Sequence, residues 1–188
     1  MLPRGFKSWC EEVARQVRRE LDVGPTDPLD PKQLAESLGV KIRTPADVPG
    51  LSADVARRLS TIHSDCWSAI TVTEGDHVVV ILNPAHRGGR VASNLAHELS
   101  HVLLGHEPGR LFMTPNAVLR THDKDQELEA SWLSGALLLP RDALFETMVK
   151  KLPAAEVCSR YGVSNDLLRF RLNATGVVRQ YERRFGRR

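Results

Sequence analysis

The stretch LAHELSHVLLGH, residues 95–106, places His97 and His101 four positions apart with Glu98 beside the first. An α-helix advances about 100° per residue, so with His97 at zero, His101 lies at about 40° and Glu98 at about 100°. Val91, Ala92, Leu95, Ala96, Leu99, Val102 and Leu103 all fall between about 120° and 260°. The apolar face and the His–Glu–His face are therefore largely separate. A helix with stray core histidines has no reason to sort that way. Leu104 is the exception, on the polar side, where it could help wall a site. Extrapolated along the same helix, His106 falls near 180°, among the apolar residues, and cannot join the same metal from this helix.

That spacing suits metal chemistry. Two imidazoles one turn apart can each bring a nitrogen to about 2.0–2.1 Å from one Zn²⁺. A Glu next to the first His points to the side, where it can hold a water and take its proton. Zinc sites with two His and one Glu draw the carboxylate from elsewhere in the chain. The alternative HExxHxxGxxH pattern does not fit, because Gly105 and His106 are out of step with it. The candidates are Glu127 and Glu129 in DQELEASWLSGALLLP. With Glu127 at zero, Ala130, Ser131, Ser134 and Leu138 lie within about 60° of it, a strip mostly of small residues that permits close helix approach. Glu129 lies about 200° away, toward Trp132 and Ala136. Glu127 is the favoured ligand, and Glu129 reads as surface charge or as a group behind the ligands.

Around this motif the chain reads as alternating helices and a small sheet. Phe6, Trp9, Val13, Val17 and Leu21 recur at helical spacing over 6–21. In LDPKQLAESLGVKIR, Asp30 suits an N-cap, Pro31 the first helical position, Gln33 a capping box and Gly39 the left-handed stop. A short strand at 40–43 follows, then a helix at about 53–59 capped by Ser52. WSAITVT and HVVVIL are β-rich runs joined across EGD, which reads as a hairpin. Helices are expected at about 90–105, 124–138, 141–151, 154–160, 165–173 and 177–185, with Gly162 and Ser164 as stop and cap. The order predicts an α+β fold, with a small mainly antiparallel sheet, flanking helices and a helical tail.

Composition narrows the setting. The 188 residues, 41% hydrophobic and 26% charged, suit one globular domain or one domain with a small appendage. No apolar run approaches the roughly 18 residues that span a bilayer. The opening MLPRGFKSWCEEVARQVRRE is charged and lacks an apolar leader core, so a cytosolic protein is expected. Cys10, Cys66 and Cys158 are far apart with no CxxC, which argues for idle thiols and against a disulfide framework or a cysteine metal site. Net charge is +3, and the last ten residues carry five Arg and one Glu, so the remainder is about neutral. Such a tail can meet nucleic acid or an acidic partner, or be a solvated end.

LAHELSHVLLGH followed by ELEASWLSGALLLP resembles the ImmA/IrrE family of metallopeptidases, whose members carry an HExxH helix and then an ExEAN-x-FA-x-x-LLxP helix. The resemblance extends to DPKQLAESLGVKI, VVVILNPAHRGGRVASNLAHE and YGVSNDLLRFRLNATG. It implies His97, His101 and Glu127 as ligands of one Zn²⁺, with Glu98 as general base. It also implies a cytosolic endopeptidase that cuts a helix-turn-helix repressor and so induces its genes. On this reading residues 1–140 form the peptidase domain, with a helical part at 6–60 and the sheet and metal helices at 61–140. Residues 141–188 form a helical subdomain with a basic tail. Ser131 stands where the family usually has Asn or Asp, a position that can orient a ligating His. Asp123 or Asp125 could substitute. Leu133 replaces Phe, and Ser134-Gly135 replaces Ala-Ala.

Three residues are candidates to stabilise the developing oxyanion. His122, just before the second metal helix, is favoured over Arg120 and Tyr161. VSNDLLRFRL raises a second function class. Ser164 caps a helix bearing Arg169 and Arg171, resembling the recognition helix of a helix-turn-helix. DNA binding would need those arginines exposed; a packing role would bury Leu167, Leu168 and Leu172. The alternative function is thus a DNA- or repressor-binding regulator with a structural or vestigial metal site. His63, His77 and His86 lack partners at ligand spacing and read as strand or loop histidines.

Overall fold

The computed structural model describes residues 2–74, 77–106, 111–114, 117–120 and 123–186, with the backbone alone at 73–74 and 111–120. Helix α1 (Phe6–Glu20) leads to α2 (Pro31–Ser37), whose N-cap Asp30 accepts from the Lys32 amide at 2.9 Å. Gln33 does not complete the expected capping box; its amide donates to the Leu21 carbonyl at 3.2 Å, tying α2 to the end of α1. Gly39 takes the left-handed conformation, with φ 66°, and feeds strand β1 (Lys41–Arg43). Ser52 caps α3 (Ala53–Ser60), accepting from Val55 at 3.3 Å.

Strands β2 (Ala69–Glu74) and β3 (His77–Leu82) pair antiparallel, from Ala69 opposite Leu82 to Glu74 opposite His77. β1 joins β3 on its other side and runs parallel to it, Lys41 opposite Val79. The sheet is thus mixed, because α3, β2 and their connections carry the chain around between β1 and β3. A separate antiparallel pair, β4 (Leu111–Thr114) and β5 (Ala117–Arg120), lies between His101 and Glu127 in sequence. Its four-residue runs gave too little alternation to be read as strands.

Helix α4 (Gly89–Leu103) lies across β2 and β3 and packs along α5 (Lys124–Leu138), which α1 covers from the other side. Leu95, Leu99, Leu133 and Leu137 are all essentially inaccessible, with Val80 of the sheet beneath them. Burying each such leucine contributes roughly 1.5–3 kcal/mol, which holds α4 and α5 in one relative position. A second apolar cluster joins Ala96 and Leu138 to α6 (Arg141–Val149), α7 (Ala154–Tyr161), α8 (Asn165–Thr175) and α9 (Val177–Phe185) through Leu144, Val157, Leu168 and Val177. The described residues form an α+β fold, and none of its helices is long and apolar enough to cross a membrane.

The C-terminal end of α5 is held by two buried arginines. Arg18 donates to the Leu137 carbonyl at 2.7 Å, and Arg171 Nε to the Leu139 carbonyl at 3.0 Å. These satisfy carbonyls that a helix end leaves unpaired, just before Pro140. Arg171 also pairs with Glu11, whose other oxygen accepts from the Arg141 amide at 2.9 Å. Burial pulls the Arg18 guanidinium down to about 10. Gly135 explains one departure from the family pattern: a Cβ there would come within 3.0 Å of Arg171 Cδ.

Candidate metal centre

α4 brings His97 and His101 to one side and α5 brings Glu127 to meet them. His97 Nε2 lies 3.1 Å from Glu127 Oε2, His101 Nε2 lies 3.2 Å from His97 Nε2, and His101 Nε2 lies 3.5 Å from Glu127 Oε1. Among the described residues this is the one group of three or more His, Cys, Asp or Glu side chains close enough to share an ion. A tetrahedral ion bonded at about 2.0–2.1 Å holds its ligand atoms about 3.3–3.4 Å apart. The His97–His101 and His97–Glu127 separations, 3.2 and 3.1 Å, lie close to that edge, and His101 meets the other oxygen of Glu127 at 3.5 Å. Two imidazole nitrogens and a carboxylate facing one point also form a donor set that a divalent cation satisfies. The residues present fit a metal ion.

Burial, helped by His97, pushes the His101 imidazole down to about 4, against the opposing pull of Glu127 and Glu98. At neutral pH the ring is therefore neutral and offers a lone pair, the state that ligates. His101 is nearly buried, whereas His97 and Glu127 each keep about a quarter to a third of the side chain exposed, at 26% and 31%. The centre is closed on the protein side and open on the other.

Glu98 is only 3% exposed and turns toward the sheet. Thr71 Oγ1 donates to Glu98 Oε2 at 2.5 Å. Thr71 sits directly opposite Val80 in the ladder, on the sheet face that α4 covers. Thr71 was not singled out from sequence. Its signal was the inward place in the alternation of AITVT, a polar residue where the face demands an apolar one.

His106 stands outside the group of three, but its contact with His101 was not foreseen. The helix expected to about 105 ends at Leu103, and Gly105 is left-handed, with φ 65°. The Gly105 amide donates to Val102 and the His106 amide to His101, both at 3.0 Å, which is a Schellman turn. The turn folds His106 back, so that its Nδ1 lies 2.9 Å from His101 Nδ1 and its Nε2 lies 3.1 Å from Glu129 Oε2. Glu129 is therefore tied to His106 and is not a solvated surface charge.

Several other expectations place differently. Asp123 caps α5, accepting from the Asp125 and Gln126 amides, and so does not replace the family's Asn or Asp. Ser131 is exposed. Tyr161 belongs to the second apolar cluster, and its hydroxyl donates to the Thr26 carbonyl at 2.6 Å, so it is not poised at the metal centre. His122 lies outside the described residues, as does the Arg120 side chain. Leu104 is part of the apolar packing around the main core. His86 is a loop residue whose Nδ1 meets Asn94 at 3.0 Å. Arg171 is 1% exposed, so α8 does not present it to solvent.

Residues 35–173, well over half of the chain, match the family model for Peptidase M78, the IrrE N-terminal-like domain. No curated protein matches the chain.

Proposed function

The chain belongs to the Peptidase M78 family of IrrE N-terminal-like domains, and from that premise we propose that it is a zinc-dependent endopeptidase acting on a specific cytosolic protein. The substrate class that fits is a helix-turn-helix repressor, whose cleavage would release its genes. The observation that carries the reading is the convergence of His97, His101 and Glu127 into one group able to share an ion, with Glu98 next to His97 in sequence and its carboxylate held by Thr71.

Zinc held by these three side chains would supply Lewis acidity, lowering the pKa of a water and polarising the scissile carbonyl. The remaining chemistry is the chain's own. Glu98 accepts the proton of the attacking water and returns it to the leaving amine. Thr71 fixes the plane of that carboxylate through its hydrogen bond to Oε2. The half-open side of the centre, at His97 and Glu127, admits an extended peptide.

Narrow specificity follows from remote contacts, which position one scissile bond and leave others unaligned. An open pocket of about 560 Å³ is lined by Arg141, Arg179, Arg183, Arg184, Thr175, Gly176 and Gln180. Its charge suits an acidic face of a folded partner. Deleting the tail from 177 would also remove Val177, which is 0% exposed, so charge reversal is the cleaner probe. The test is incubation of the metal-loaded protein with purified helix-turn-helix repressors, read by mass spectrometry. One cut in one repressor is expected, blocked by a chelator and restored by zinc. Arg179→Glu with Arg183→Glu should slow that cut about tenfold without changing zinc content, since each 1.4 kcal/mol is a factor of 10. Efficient digestion of casein would contradict the specificity, and no cleavage of any repressor by zinc-loaded protein would contradict the reading.

A further inference from the structure

We propose that His106 and Glu129 are positioning residues that hold His101 in the tautomer and orientation needed for metal binding, through a relay Glu129–His106–His101. The proposal rests on the reading of His101 as a metal ligand. Its motive is that both ring nitrogens of His106 and of His101 have close partners, and only one arrangement of two neutral rings both leaves His101 Nε2 free for an ion and gives the Glu129 carboxylate a donor.

His101 Nε2 faces His97 and Glu127, so it must keep its lone pair to bind an ion. A neutral imidazole carries one proton, which then sits on Nδ1. His101 Nδ1 donates at 2.9 Å to His106 Nδ1, which must therefore be unprotonated. The His106 proton accordingly sits on Nε2 and donates at 3.1 Å to the Glu129 carboxylate. An anion is the right terminus, because it can only accept. Glu129 thus sets His106, and His106 sets His101. The usual arrangement behind a metal-ligating histidine is one carboxylate or carbonyl accepting from its second nitrogen. Here an imidazole is interposed, and the carboxylate acts one ring further back.

The backbone builds the same contact. In the Schellman turn at the end of α4 the His106 amide bonds the carbonyl of His101 itself. That turn commonly carries an apolar contact between these two positions. In this chain the contact is between two rings, with centroids 5.0 Å apart and planes at 65°. The His106 side chain is 8% exposed and that of Glu129 23%, so water competes little for the first link. The sheltered setting strengthens both hydrogen bonds.

The experiment is zinc affinity at one neutral pH, by competition with a chelator of known affinity, together with thermal unfolding of the metal-free chains. His106→Ala should still bind one zinc but about 10–100-fold more weakly, the usual effect of losing a group behind a ligand. In His106→Asn the amide oxygen takes the place of Nδ1 and accepts from His101, so affinity should return most of the way to the parental value. Glu129→Ala should weaken binding in the parental chain and add nothing in the His106→Asn background, where the relay is already cut. Metal-free variants should unfold within a few degrees of the parent. If His106→Ala has already lost its fold, Glu129→Ala in the two backgrounds carries the test alone. Parental affinity in His106→Ala, equal losses in His106→Asn and His106→Ala, or an undiminished Glu129→Ala effect in His106→Asn would overturn the relay and leave the ligand reading standing. A parental chain that binds no zinc would instead overturn the ligand reading and the relay with it.

Discussion

Glu98 is buried within the fold and, in the proposed function, also carries the chemistry. It packs against the sheet at 3% exposure, yet Thr71 meets its charge with a hydroxyl. That hydrogen bond offsets part of the cost of burying a carboxylate. Glu98→Gln keeps the shape and removes the base. It should retain zinc at the parental level and lose peptide cleavage by about 10²–10⁴-fold, the usual worth of a positioned general base. Cleavage at the parental rate in that variant would remove Glu98 from the mechanism. At this scale the grouping of His97, His101 and Glu127 was legible in the sequence, because one helical wheel per element decides which side chains share a face. His106 and Thr71 were not. The first depends on Gly105 ending the helix, which voids the wheel beyond it, and the second on a contact between a strand and a helix that no local pattern encodes.

Helix α5 is the element on which the centre depends, since it carries both Glu127 and Glu129. Its far end is anchored by Arg18 and Arg171, and Arg171 is balanced by Glu11 of α1. Removing one partner of a buried ion pair leaves the other charge uncompensated and costs about 3–5 kcal/mol. Glu11→Ala should therefore lower the stability of the metal-free protein by about that amount in urea denaturation, although Glu11 lies on a helix that carries no ligand. A loss below about 1 kcal/mol would show that the Glu11–Arg171 pair does not hold the end of α5. Several helices were readable because their caps are explicit: Asp30, Ser52 and Ser164 each accept a backbone amide at the start of a helix. The β4–β5 pair was not readable, since four-residue strands give almost no period. The parallel partnership of β1 with β3 was also hidden, because strand order is a tertiary property.

For the whole molecule, the α+β architecture and the family followed from the order of elements and the two motif helices, while the interdependence of its parts did not. The centre joins pH to folding. His101 is pushed down to about 4 from its ordinary 6.5 by burial and by His97, and His86 is also lowered, by burial and by Arg90. A depressed histidine binds more protons unfolded than folded, so its contribution is complete above the unfolded value and is lost as pH falls toward the folded one. The metal-free protein should therefore lose stability between about pH 6.5 and 4, visible as a falling urea midpoint, and His101→Asn should flatten that fall. A midpoint constant through the window would contradict the burial of a neutral His101. The central claim is that α4 and α5 together build one metal site, and the most direct test is zinc content after reconstitution and removal of excess ion. The account predicts one zinc per parental chain and per Glu129→Gln chain, and none in Glu127→Gln. Equal zinc in Glu127→Gln and the parent would contradict it.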